Sequence, residues 1–502
     1  MLTGGMRVTA LIDRMQVLFA AERETNDPRV ARAWMLLLFV AGLAGWAYTM
    51  GWGVTPLDFH DWTGINLPRL LFLQNALRAG EWPLHMAGTA SLHGVTDRFL
   101  ALPDVITSPQ TILLLFMPVT RFVVVDVLLH YAAGFAGLVL LRRHFGWSLY
   151  TFALVFLLFL FNGHIVSHYG VGHFTWGAYF LFPFVALLLL RFLDGDTSWR
   201  SIAWFAALLF YMVLSGGEHH FAWVLLLLAL LVPFCWRRAW WLFAVAVASG
   251  LLGAVRLLPP ALELQSFRAA GLVADVIGYP SVSHLVMSLV FLRRETPAYN
   301  EALPGNIWFF DSAFYEFNAY IGAIGFAILV TGAYRWLRAA SPIYPQLIVP
   351  VFLMTAFSLG SVYRIVRATA IPLLESERYT SRLFSLPLFL LIVMALTALD
   401  RWMKASAMSA WHRALALLAL SFVAIDIGAS LRLWRAAISS GMFGRTAFDA
   451  AASAVVERAD PAYANVLLAG AVVTVATAAI LLALVYRERR ARVHISSTAT
   501  DA

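Results

Sequence analysis

The chain has 502 residues, 61% of them hydrophobic and 13% charged, and carries a formal charge of +8 at a mean hydropathy of +0.76. A water-soluble fold of this length could not enclose so much apolar surface, so the composition excludes a soluble enzyme and predicts an all-α polytopic membrane protein. The arginines gather at the ends of apolar runs, which makes the basic balance a topology signal rather than a nucleic-acid surface, and no nucleic-acid partner is expected.

Residues 1–32 read as a cytosolic amphipathic segment lying on the membrane. Their short apolar stretches are split by Arg14, Glu22 and Arg23. Residues 33–486 form the membrane region, with twelve predicted spans near 33–53, 121–141, 146–162, 174–192, 200–215, 220–236, 239–257, 317–335, 345–362, 382–400, 410–432 and 463–486. Residues 487–502 read as a basic cytosolic tail, disordered beyond about Arg490. Arg142 and Arg143, Arg191 and Arg200, Arg237 and Arg238, Arg335 and Arg338, and Arg401 with Lys404 all fall on one side. The positive-inside bias makes that side the cytosol and puts both termini there. The long connections 54–120, 163–173, 258–316, 363–381 and 433–462 then face outside. In the first of these, residues 65–79 read as a short interfacial helix with Arg69, Gln74 and Arg78 on its polar face, stopped by Gly80. The single cysteine, Cys235, rules out an intrachain disulfide, and no Walker or Rossmann glycine loop is present to hold a nucleotide.

The unusual polar residues gather on the outer side. "DFHDW" brings Asp58, His60 and Asp61 together, and "FNGHIVSHYGVGHFTW" carries His164, His168 and His173. "LSGGEHHF" supplies Glu218, His219 and His220, "RLLPPALELQSFRAAG" supplies Arg256, Glu263 and Arg268, and Glu316 lies at the start of a span. "YRIVRATAIPLLESERYTSRLF" holds Glu375, Glu377, Arg378 and Arg382. Charges at a membrane boundary are costly unless hydrated or paired, so six such clusters on one face imply a polar chamber. Plainer readings stand beside the functional ones. Asp58 and Asp61 suit helix capping, the histidines suit carbonyl or water partners, and Glu263 suits a salt bridge to Arg268. His164 and His168, four apart, would share a helix face and could ligate a metal. Arg378 and Arg382 oppose the positive-inside bias and match the forked geometry that binds phosphate, or else they pair with Glu375 or Glu377. Trp and Tyr residues near span ends read as interface anchors.

The order of these elements resembles that of the YfhO-like bacterial membrane proteins of the GT-C glycosyltransferase superfamily. The likeness rests on Asp61, Pro68, Phe72, Leu77, Gly80, Glu81, Pro83 and Leu84 in the first outer loop, then "RLLPPALELQSFR", "FYEFNAYIG" and "FSLGSVYRIV…ESERYTSRLF", scattered over residues 55–385. The chain departs from the pattern at Leu102, where the family has an acid that Asp104 or Asp97 could replace, and at Thr380, where it commonly has proline.

The resemblance implies a GT-C-like fold and an active site facing outside the bacterial inner membrane. It also implies transfer of a sugar from a polyprenyl-phosphate donor to an envelope acceptor. The spacing to Pro68 and Gly80 selects Asp61 over Asp58 as the base that deprotonates the acceptor. Arg378 and Arg382 are then the phosphate clamp, with Glu218, His219 and His220 as helpers and Asp58, His60, Asp104, His164, His168 and Glu316 as secondary candidates. One carboxylate and a departing phosphate point to single displacement with inversion. No cofactor is required, although Asp61 and a histidine could hold a divalent ion, Mg or Mn. The rival reading is a transporter or a flippase for lipid-linked glycans, which suits twelve spans but calls for ionisable groups near mid-membrane.

Overall fold

The computed structural model describes residues 15–20, 28–54, 57–87, 94–269, 276–292, 314–375, 377–406, 408–440, 447 and 450–500. Most of the amphipathic N-terminal segment lies outside them. The described residues are mainly helical, and their only strand-like pairings are isolated bridges such as Ile277 with Tyr379 and Tyr279 with Leu359.

Eight helical runs among the described residues are long and apolar enough to cross a membrane. They are Arg29–Thr49, Val119–Phe145, Leu149–Val171, Phe174–Leu193, Glu218–Leu252, Thr380–Ala405, Ala410–Ser439 and Pro461–Ala491. The chain is thus an all-α multi-pass membrane protein. Glu218–Leu252 covers two of the predicted spans. It is interrupted by a 3-10 segment, Val232–Arg238, and the helices on either side pack against each other. Trp199–Leu214, Ala323–Arg338 and Ile348–Phe357 are shorter helices under three further predicted spans.

The apolar runs form helices for local reasons. Ser148, Asn162 and Ser198 each accept a hydrogen bond from a backbone N–H in the first turn of the helix that follows. The packing sorts the helices by depth. Leu149–Val171 and Thr380–Ala405 are almost wholly enclosed by protein, with 94% and 89% of their apolar windows buried, whereas Pro461–Ala491 buries 11% and shows its apolar flank to lipid.

Contacts divide the connections between two ends of the bundle. At one end His144, Asp194 and Tyr344 meet: the Tyr344 hydroxyl donates to Asp194 at 2.9 Å and lies 2.8 Å from His144 Nε2. Asp400 there accepts from Ser148 and Thr151 and pairs with Lys404. A different set of turns brings Asp61, His173, His168, Glu316 and Arg382 into contact.

Three expectations need correcting, and a fourth, the Glu263–Arg268 pair, lies partly outside the described residues. Leu67–Ala79 is a helix ended by Gly80 at φ 73°, but its expected polar face is not exposed throughout. Arg69 and Gln74 are buried, with Gln74 donating to the carbonyls of Leu114 and Met117 at 2.7 and 2.8 Å. The period marked these two as solvent-facing, whereas the carbonyls of Pro103, Leu114 and Met117 draw them inward. Residues 163–171 are helix rather than loop, because Asn162 restarts the helix that Phe161 breaks. Glu263 pairs with Arg98, whose guanidinium also grips Asp460; the side chain of Arg268 lies outside the described residues. The tail is helical, since Pro461–Thr500 runs on without a break.

Candidate functional site

The site is built on a close approach of two turns. The peptide after the first helix enters its π-helical turn Trp62–Asn66 through His60, which sits in the left-handed region at φ 46°. Gly172 ends the helix Gly163–Val171 at φ 102°. A Cβ on Gly172 would lie 2.6 Å from the Trp62 backbone nitrogen, so only glycine permits this contact. Asn66 locks it by donating to the carbonyls of Gly172 and, at 3.1 Å, of Asp61.

This places Asp61 between two imidazoles. His173 Nε2 lies 2.9 Å from Asp61 Oδ2, and His60 Nδ1 lies 3.2 Å from Oδ1. The His60 ring is further held by the Val171 carbonyl and the Tyr315 hydroxyl, each at 3.2 Å. The Asp61 side chain keeps 28% of its surface accessible, so a substrate can reach it. Burial works against its charge, but the hydrogen bonds from His173 and His60 prevail and hold the carboxyl far below the usual carboxylate range. Burial likewise disfavours the His60 cation, yet the Asp61 contact raises that imidazole above its ordinary value.

Behind Asp61 the histidines form a chain. His173 Nδ1 faces His168 Nδ1 at 2.5 Å, and His168 and His164 stack on one helix face with ring centroids 4.4 Å apart. His168 Nε2 lies 3.9 Å from Glu316 Oε2, and the Glu316 carboxylate takes a two-pronged salt bridge from Arg382, with Nε at 2.6 Å and Nη2 at 2.5 Å. The Arg382 guanidinium lies 5.0 Å from the centres of the Trp176 and Tyr379 rings. Among the described residues one group could hold a metal, His168 with His173 and Glu316; one ligand atom from each lies within 4.8 Å of the others.

Trp176 joins this cluster to a second one. Its indole N–H donates to His164 Nε2 at 3.0 Å, and its ring lies 5.9 Å from His219 and 5.3 Å from the fully buried His220. His219 Nδ1 meets Glu377 Oε2 at 3.0 Å, and Trp223 donates to the same oxygen at 2.8 Å. Burial resists ionisation of Glu377, but the charge of His219 and its hydrogen bond keep that carboxyl below its ordinary value. Glu218 accepts from Arg256 at 3.2 Å and, weakly, from the backbone N–H of Asp104 at 3.4 Å. Arg256 Nη1 and Nη2 also donate to the carbonyls of Leu100, Leu102 and Val105, which fixes the loop carrying Asp104. Asp97 is drawn away to Arg458, so Asp104 is the acid of this loop beside the chamber.

Of the sequence candidates, Asp61, His60, His164, His168, Glu316 and Arg382 form one connected cluster, and Trp176 links it to His219 and His220. Arg378 stands exposed at the rim over the Tyr379 ring at 5.1 Å, and Asp58 is half-buried in the turn before His60. Arg382 pairs with Glu316, not with Glu375 or Glu377. Sequence reasoning passed over Trp176, Tyr315 and Tyr379 as interface anchors and left His173 outside the site. The run of three histidines ending in "GHFTW" was the available signal for His173 and Trp176.

Compared with known proteins, the chain matches no family model, no curated protein and no solved structure.

Proposed function

We propose that this end of the bundle transfers a sugar from a polyprenyl-phosphate donor to an acceptor hydroxyl at the outer face of the bacterial inner membrane, in a GT-C-like architecture of twelve crossings. The observation that carries this reading is the Asp61 carboxylate: ionised, reachable, and fixed by two imidazoles beside a histidine cluster that ends at Arg382. Asp61 accepts the proton of the attacking hydroxyl. Its lowered basicity makes that transfer late, completed as the new glycosidic bond forms and the hydroxyl grows acidic. Arg378, the arginine left exposed, meets the departing phosphate first. Arg382, already neutralised by Glu316, sets the position of Glu316 and Trp176 more than it binds phosphate. Attack opposite the leaving phosphate inverts the anomeric centre. The test is to incubate the purified chain with a panel of polyprenyl-phosphate sugars and candidate acceptors. The expected result is acceptor-dependent release of polyprenyl phosphate from at least one donor; no release from any of them removes the support for transfer.

The transport reading has one observation in its favour. Asp126 and His130 lie buried within Val119–Phe145, 3.2 Å apart, with Gln110 donating to Asp126 at 2.9 Å. Ionisable groups inside a membrane helix commonly mark a translocation path. Flux of a lipid-linked glycan across proteoliposomes that disappears in Asp126→Asn, with no sugar transfer, would favour that reading.

A further inference from the structure

We infer that His168, His173 and Glu316 form a binding site for a divalent transition metal of the zinc class, with Asp61 as the outer carboxylate that orients His173. The donor set comes first. Two imidazoles and one carboxylate suit zinc and its neighbours, whereas magnesium takes oxygen ligands. This departs from the Mg or Mn anticipated from the sequence. One ligand atom from each residue lies within 4.8 Å of the others, and donors held about 2.0–2.2 Å from a shared ion need only small side-chain movements from that spacing.

The protons supply a second argument. His173 gives its Nε2 proton to Asp61 at 2.9 Å, which leaves the lone pair of a neutral ring on Nδ1. That lone pair points at His168 Nδ1, 2.5 Å away. A neutral His168 has one N–H to offer. Placed on Nδ1, it leaves the Nε2 lone pair facing Glu316, and Nε2 is fully buried without a hydrogen-bond partner. Placed on Nε2, it leaves two lone pairs opposed at 2.5 Å. A cation shared by the two Nδ1 atoms and Glu316 removes the lone-pair clash, with the remaining His168 Nε2–H facing Glu316 at 3.9 Å.

The surroundings fit as well. A ligating histidine almost always gives its other ring N–H to a carboxylate or carbonyl, and Asp61 does this for His173. Glu316 accepts two bonds from Arg382 and still has lone pairs for an ion, since an ionised carboxylate offers about four. With neutral imidazoles, the charges of Asp61, Glu316 and Arg382 leave the empty cluster net negative. A divalent ion makes it net positive, the sign an anionic substrate would meet. The site stands on its own, whether the chain moves sugars or transports them.

The test uses the full chain purified in detergent, with metal content measured by plasma mass spectrometry. Chelator-stripped protein is then titrated with Zn²⁺, and with Co²⁺ followed by its visible absorption. About one zinc or cobalt ion per chain is expected. His168→Ala and His173→Ala should each abolish stoichiometric binding, Asp61→Asn should weaken it about 10–100-fold, and His219→Ala should bind as the parent does. Absence of stoichiometric Zn²⁺ or Co²⁺ binding by the parent chain overturns the assignment whatever the variants do. Parent-like affinity in both His168→Ala and His173→Ala, each eluting as a single species, overturns it too.

Discussion

At the scale of single residues, the account turns on how Asp61 keeps its charge and how Glu316 is paired. The folded carboxyl of Asp61 lies below its unfolded value, so the linked stability is complete above about pH 4 and is lost as pH falls through the lowered value. The His60 imidazole is raised, so its contribution is complete below about pH 6.5 and is lost as pH rises through the raised value. The pair therefore stabilises most between those limits. Thermal unfolding in detergent should show a decline on the alkaline side that His60→Gln flattens. The same substitution removes one hydrogen bond to Asp61, so any acid limb in its rate profile should move to higher pH. At Glu316 the two-pronged pair with Arg382 is almost dry, with side-chain exposures of 1% and 13%. Removing one partner of such a pair costs about 3–5 kcal/mol, so Arg382→Ala should lower the melting point sharply. Arg382→Ala combined with Glu316→Ala should recover part of that loss.

At the scale of elements, the site depends on one turn pressed against another. Gly172→Ala adds a methyl group where the Trp62 backbone already stands and imposes a left-handed conformation on alanine. A loss of at least about 1–3 kcal/mol is expected, together with loss of activity. A variant that melts like its parent would mean that the two turns do not need this contact. Here the limits of the sequence become concrete. Apolar runs and the shared face of His164 and His168 were legible because each depends on near neighbours in the chain. The Glu316–Arg382 pair, the Glu263–Arg98 pair and the inward turn of Gln74 were not. Each joins elements tens to hundreds of residues apart, and nothing in a local period says which of several acids a given arginine will meet. Asp61 could be favoured over Asp58 only through the family resemblance; the histidines on either side of it became visible once the turns were docked.

At the scale of the whole molecule, the chain keeps its polar chemistry at one end of a helical bundle and shows lipid an apolar flank. The enclosed helices Leu149–Val171 and Thr380–Ala405 carry His164, His168 and Arg382, so the cluster is anchored in the most enclosed of the candidate spans. The turn with His60 and Asp61 is docked on the end of the helix Gly163–Val171 and held there by Asn66. Such a division suits the proposed transfer, with its donor drawn from the bilayer and its acceptor from water.

The central claim is that Asp61 accepts the acceptor's proton during sugar transfer. Its most direct test is the rate of polyprenyl-phosphate release from a radiolabelled donor by the parent chain and by Asp61→Asn, with both shown to melt alike. The account predicts a loss of at least about a hundredfold in the variant, the scale of general-base catalysis. An Asp61→Asn chain that turns over at the parent rate would contradict it.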